Sequence, residues 1–285
     1  MRRAVTMFAA AAVMLAPVDA LLPSGVRLEY QAPLGRVAEY ELQLVVEGEQ
    51  VSLEETRPVH VRAVVEFSEE VIARQSDGVI WLRIHGRPQV VRDPTGTFGA
   101  GRRGLWPDLQ LRVTPRGEVL DSSLAVGSDP PGPSERAFSS LMVQPAPVVL
   151  AENPVQVGEE WEWADGPRGQ SNRLVEVREV EGGQVARIAS RGRAELRLEE
   201  GSPALGLTTR VEGQQGQSSE MELLVEEGLV VRHRGQISLH MESETVLVVA
   251  GEERVFPMRS DLSIDFDLRL LRVDGRPVEH ELTGD

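Results

Sequence analysis

Few residues in this chain have types and spacings that could do chemistry, and the spacing argues against most of them. Residues 99–104 read GAGRRG, the G-x-G-x-x-G pattern that brings backbone N–H groups and a helix N-terminus up to a pyrophosphate. Leu105, Trp106 and Pro107 follow where that helix should begin, and Pro107 disfavours helical geometry at Trp106. The segment therefore reads as a loop, with Arg102 and Arg103 left as a candidate anion-binding pair. His60, His85, His233, His240 and His280 make no H-x-H pair and no H-E-x-x-H motif, so no metal site is indicated. Each is expected to be a solvated strand histidine. Asp265 and Asp267 would share a strand face about 7 Å apart, with Asp261 nearby. No D-x-D-x-D-G loop surrounds them, and the run reads as a solvated face that resists edge pairing.

Nucleophilic catalysis has as little support. There is no G-x-S-x-G elbow, and residues 201–206, GSPALG, have the wrong spacing with a proline after the serine. The chain has no cysteine, which removes thiolate nucleophiles and disulfides, and every base is arginine, which removes lysine Schiff-base chemistry. Paired carboxylates of the glycosidase kind leave a hydrolase as a third reading, because their separation is invisible in a sequence. No cofactor is expected. Trp81, Trp106, Trp161 and Trp163, with Phe138, are the candidate lining of an apolar site; the competing reading makes the tryptophans core or turn anchors. Aromatics are only 4% of the chain, too few for the stacking platforms that bind sugars or single strands. A net charge of −15 repels nucleic acid and anionic headgroups, so no nucleic-acid partner is expected.

Residues 1–20 have a basic start, an apolar middle from Ala4 to Ala16 and a small residue, Ala20, at the end. That is the pattern of a secretory signal peptide, too short to remain as a membrane anchor. The expectation is a periplasmic or secreted product with no stable membrane insertion. Beyond it, apolar residues alternate with polar ones at the two-residue period of a half-buried strand. Tyr40, Leu42, Leu44 and Val46 alternate with Glu39, Glu41, Gln43 and Glu47. Val59 to Phe67, Ile80 to Ile84, Leu109 to Val113, Ala194 to Leu198 and Leu262 to Leu270 follow the same rule. Asp77-Gly78 and similar turn signals separate the runs, as in an antiparallel meander. Ser134 could cap one short helix, Glu135 to Val143. The predicted organisation is a leader at 1–20, a β unit at 21–127, a linker with the helix at 128–153 and a second β unit at 154–285.

The string from Pro154 to Trp161, PVQVGEEW, resembles an opening motif of uncharacterised secreted bacterial β-proteins. The strand, turn glycine, strand pattern is similar to that of half-barrel lipoprotein carriers of bacterial envelopes, although no lipobox cysteine is present. The resemblance implies an all-β, mainly antiparallel fold of two related curved sheets or half-barrels with one central helix, and supplies no catalytic residue. The function expected is a non-catalytic binding protein for an apolar small molecule, with an envelope scaffold that binds a protein partner as the alternative.

Overall fold

The computed structural model describes residues 25–53, 55–92, 109–124, 148–202, 207–249 and 252–278. The expected leader and the helix at 135–143 lie outside the described residues. Those described are all-β, with no helix among them. They form β1 (Val37–Ser52), β2 (Glu55–Arg74), β3 (Ile80–Arg92), β4 (Leu109–Val113), β5 (Val119–Leu124), β6 (Glu160–Asp165), β7 (Arg168–Val180), β8 (Gly183–Ser202), β9 (Leu207–Leu224), β10 (Leu229–Val249), β11 (Glu252–Val273) and β12 (Arg276–Pro277). Several run for 16 to 22 residues, well past the 3–10 usual in globular proteins.

All of them belong to one antiparallel sheet, ordered β5-β4-β3-β2-β1-β11-β10-β9-β8-β7-β6, with β12 paired to β11. The sequence pointed to two sheets. Instead β1 and β11 share a ladder from Ala38↔Val273 to Ser52↔Met258, which fuses the two meanders edge to edge. Each has apolar residues on its inner face beside that ladder, so joining them makes those stretches continuous and leaves fewer unpaired strand edges. One buried cluster accordingly draws Leu44, Val46, Val61 and Ala63 from β1 and β2, and Ile237, Leu239, Ile264 and Phe266 from β10 and β11.

The sheet is a curved half-barrel whose two ends of the strand order are drawn together at one rim. Two irregular segments do this. Residues 26–33 and 148–155 are joined by a two-bond bridge between Val26 and Val155. The turn between β4 and β5 is bonded to both: Tyr30 N donates to the Pro115 carbonyl at 2.7 Å, and Leu150 N to that of Arg116 at 2.8 Å. From β6, at the far edge, Trp163 Nε1 donates to Glu118 Oε1 at 2.8 Å. Two glycines make the close approach possible. Gly117, at φ +90°, lies against the Tyr30 ring, and Gly228, at φ +57°, against the Glu29 and Gln31 backbone; a Cβ at either would overlap those atoms.

Candidate ligand-binding site

At the gathered rim the inner face lines a partly open cavity of about 180 Å³. Its walls come from both wings: Tyr40 and Leu42 of β1, Phe67 of β2, Ile80, Leu82 and Ile84 of β3, Leu109 and Leu111 of β4, Met221 of β9 and Leu268 of β11, with Tyr30 entering from the irregular segment. These are the alternate residues that the two-residue period predicts to face one way. Tyr40 and Phe67 stack with centroids 5.3 Å apart. The volume decides the guest's size. It is near that of an engineered apolar cavity of about 150 Å³ that binds benzene, and below the roughly 300–1,000 Å³ of drug-sized sites. A single ring or the end of an alkyl chain fits, and a whole lipid does not.

Three groups interrupt the apolar wall. Glu69 is half-buried and lines the cavity; burial raises its pKa, and the Arg36 guanidinium only partly offsets that. Arg36 is held by the carbonyls of Gln31 at 3.0 Å and Glu227 at 2.8 Å. Burial pushes the Tyr30 and Tyr40 phenols far upward, and Glu69 adds to the shift, so both are neutral. His233 is 3% exposed and packs edge-on to Phe266; burial lowers its pKa to about 4. The expectation of a solvated strand histidine fails at His233, because its β10 face is the one that turns inward. The signal was present: Leu229 and Val231 share that face.

The tryptophans sit elsewhere. Trp81 is on the face of β3 opposite Ile80 and Leu82, with Arg112 stacked 6.0 Å from its ring. Trp161 packs on the cluster around Leu150, Leu174 and Ile188 and donates from Nε1 to the Val149 carbonyl at 2.8 Å. It shares a face of β6 with Trp163, and none of the three lines the cavity. Trp106, Phe138, Arg102 and Arg103 lie outside the described residues.

Beside the cavity the inner face changes character. Gln170, Asn172, Ser190, Gln215, Gln217, Ser219, His233, Ser243 and Ser260 are all buried, and all take inner-face positions on β7 to β11. Part of this polar surface docks the segment at 148–151. Gln170 Oε1 accepts from Val149 N at 2.9 Å, and Asn172 Nδ2 donates to the Val149 carbonyl at 3.1 Å. Asn172 Oδ1, Ser190 Oγ, Gln215 Oε1 and His233 Nε2 are buried without a hydrogen-bond partner. Each such atom costs about 1–3 kcal/mol. In the sequence the strip hides inside β9, where Gln215, Gln217 and Ser219 keep the period of Met221 and Leu223 with polar side chains.

No family model matches the chain, and no curated protein matches it in sequence. Among solved structures the chain is similar to lipovitellin, in a structure concerned with lipid–protein interactions, at 10% identity and a TM-score of 0.42, over 87% of this chain. It spans about a quarter, 26%, of that protein. It is also similar to an outer-membrane channel from Pseudomonas putida F1, at 9% identity and a TM-score of 0.22, over 85% of this chain and 97% of that one. At these TM-scores neither likeness carries weight for fold or function.

The outer face is charged and largely self-paired. Asp267 takes both Arg232 nitrogens, Nε and Nη2, at 3.1 Å and also binds Arg269; burial alone would raise its pKa, but the two guanidiniums prevail and lower it. Asp261 pairs with His240 and Arg259, and Asp265 accepts from Gln236. The carboxylates singled out from the sequence are thus each held by their own partner, and no group of three metal-binding side chains occurs among the described residues. An open hollow of about 1,010 Å³ across β6 to β11 is lined by the Arg232–Asp267 and Arg234–Glu220 pairs, with Arg173 and Arg191.

Proposed function

We propose that this protein is a non-catalytic, extracytoplasmic binding protein that holds an apolar group in the rim cavity of its curved sheet. The observation that carries the reading is the lining: aliphatic and aromatic side chains from both wings face a partly open space of about 180 Å³ instead of filling it. Two neutral tyrosines and a neutral histidine orient a guest without supplying a nucleophile. The leader-like residues 1–20 support export. The test is thermal unfolding with benzene, hexanol and octanol. A guest at a hundred times its Kd stabilises the protein by about 2.7 kcal/mol. Leu111→Trp, which fills the cavity from β4, abolishes that increment while the protein still unfolds cooperatively. Equal increments in both proteins would remove the cavity as the site.

A second reading, an envelope scaffold engaging a protein partner, is favoured by one feature. The β1 ladder stops at Met258, so residues Glu252 to Pro257 of β11 pair with no strand on that side among the described residues, and Val255 and Phe256 are 50% and 38% exposed. Such an edge accepts an added strand. Crosslinking from position 255 in the native cell tests it: recovery of one partner supports the scaffold, and recovery of none removes it.

A further inference from the structure

Two of the unpartnered atoms of the inner face, Asn172 Oδ1 and Ser190 Oγ, sit on neighbouring strands in a row next to the cavity. Asn172, Ser190, Ser219 and Gly235 stand in one row across β7, β8, β9 and β10. Neighbouring strands lie about 4.8 Å apart, so the row is roughly 14 Å long. Met221 and His233, two residues farther along β9 and β10 on the same face, belong to the cavity wall, about 7 Å away. The next row on the other side is Gln170, Gly192, Gln217 and Ile237, with Gln215 one step beyond. Serine and glycine keep the array low. A Cβ added at Gly192 would come no nearer than 3.5 Å to Gln170 Cγ.

Its chemistry is selective. Other polar groups of this face satisfy each other, Gln217 Nε2 and Ser219 Oγ within the two rows at 3.3 Å and the Thr209 and Thr245 hydroxyls farther off at 3.1 Å. Asn172 cannot be turned round to find a partner, because its Nδ2 is committed to the Val149 carbonyl, so its free atom is an acceptor. The Gln215 free atom is also an oxygen. Neither row holds a charged side chain. Acceptor oxygens without a guanidinium repel carboxylate and phosphate and welcome O–H and N–H donors.

We infer that the Asn172–Ser190 end of this row is the head-group subsite for an uncharged amphipath, whose hydroxyl or amide groups donate to Asn172 Oδ1 and Ser190 Oγ while its alkyl or aromatic end passes His233 into the cavity. This rests on the apolar-ligand reading above and narrows it from any greasy guest to a neutral, donor-rich one. Trp161, opposite Asn172 in the ladder, stands at the end of the row and reports on its occupancy by fluorescence.

The test is calorimetric titration of the purified protein with octyl β-glucoside, octanol and octanoate, all below their micellar concentrations. The glucoside binds at least tenfold more tightly than octanoate. Ser190→Ala weakens the glucoside about three- to tenfold, the worth of one hydrogen bond, and weakens octanol, with its single hydroxyl, by less. Ser190→Ala deletes only a hydroxyl that has no partner, so its melting temperature does not fall; lost affinity with retained stability is a signature that a merely structural serine would not give. Octanoate binding as tightly as the glucoside, or a Ser190→Ala variant that binds the glucoside as the parent does, overturns the head-group subsite while octanol binding upholds the cavity. Binding of none of the three overturns both.

Discussion

The inner face of β1 to β4 and that of β7 to β10 are built on the same two-residue rhythm but with opposite chemistry. On the first wing the inward positions in the middle of the strands include Leu42, Leu44, Val61, Val65, Leu82 and Leu111, all buried and all aliphatic, with Tyr40, Phe67 and Glu69 toward the rim. On the second, the equivalent positions in the middle of the strands are Asn172, Ser190, Gln217 and Ser219, buried just as deeply. A core made only for stability has no reason for the second composition, since burying apolar area stabilises while burying unsatisfied polar atoms does the reverse. The difference teaches that the first wing supplies most of the apolar wall and core, while the second buries polar groups that stability alone does not call for.

If so, exchanging the characters of the two wings has unequal consequences. Val65→Asn places an amide in the aliphatic wing at a residue with 0% exposure, and destabilises by about 3–5 kcal/mol in urea unfolding. A change below about 1 kcal/mol would mean that the first wing tolerates polarity as the second does. His233 gives the next largest effect. Its ring takes a proton at about pH 4 when folded and near 6.5 when unfolded. Stability is therefore unaffected above pH 6.5, falls by up to about 3 kcal/mol as the pH drops between those values, and levels off below. His233→Leu flattens that part of the profile, measurable by thermal melts from pH 7 to 4. Glu69 acts in the opposite sense. Its folded pKa is raised, so its penalty is absent below the unfolded value of 4.5 and grows as the pH rises through the folded one. Glu69→Gln melts higher than the parent at pH 8 and at the same temperature at pH 4.

The alternation of Tyr40 to Val46 and of Leu262 to Leu270 made strands β1 and β11 legible, because a half-buried strand must present every second residue to the core. That the two strands pair with each other was not legible. Residues 38 and 273 are joined by a register that depends on which faces remain uncovered after all hairpins have formed. The cavity escaped notice for a related reason. Attention went to tryptophans, whereas the walls are aliphatic residues and two tyrosines that look like ordinary core in a linear reading. His233 and the glutamines of β9 were hidden by the rule that polar means wet. What reverses that rule is cover supplied from far away, such as the backbone of Val149 lying across Gln170 and Asn172.

The ladder between β1 and β11 also sets an order of events. The eleventh strand begins about 200 residues after the first one ends, so the centre of the sheet cannot assemble until all of that intervening chain has been made, and the earliest apolar ridge waits uncovered through that interval. Pairings this distant along the chain make for slow maturation, and a lone N-terminal meander is the species most prone to stick to its own kind.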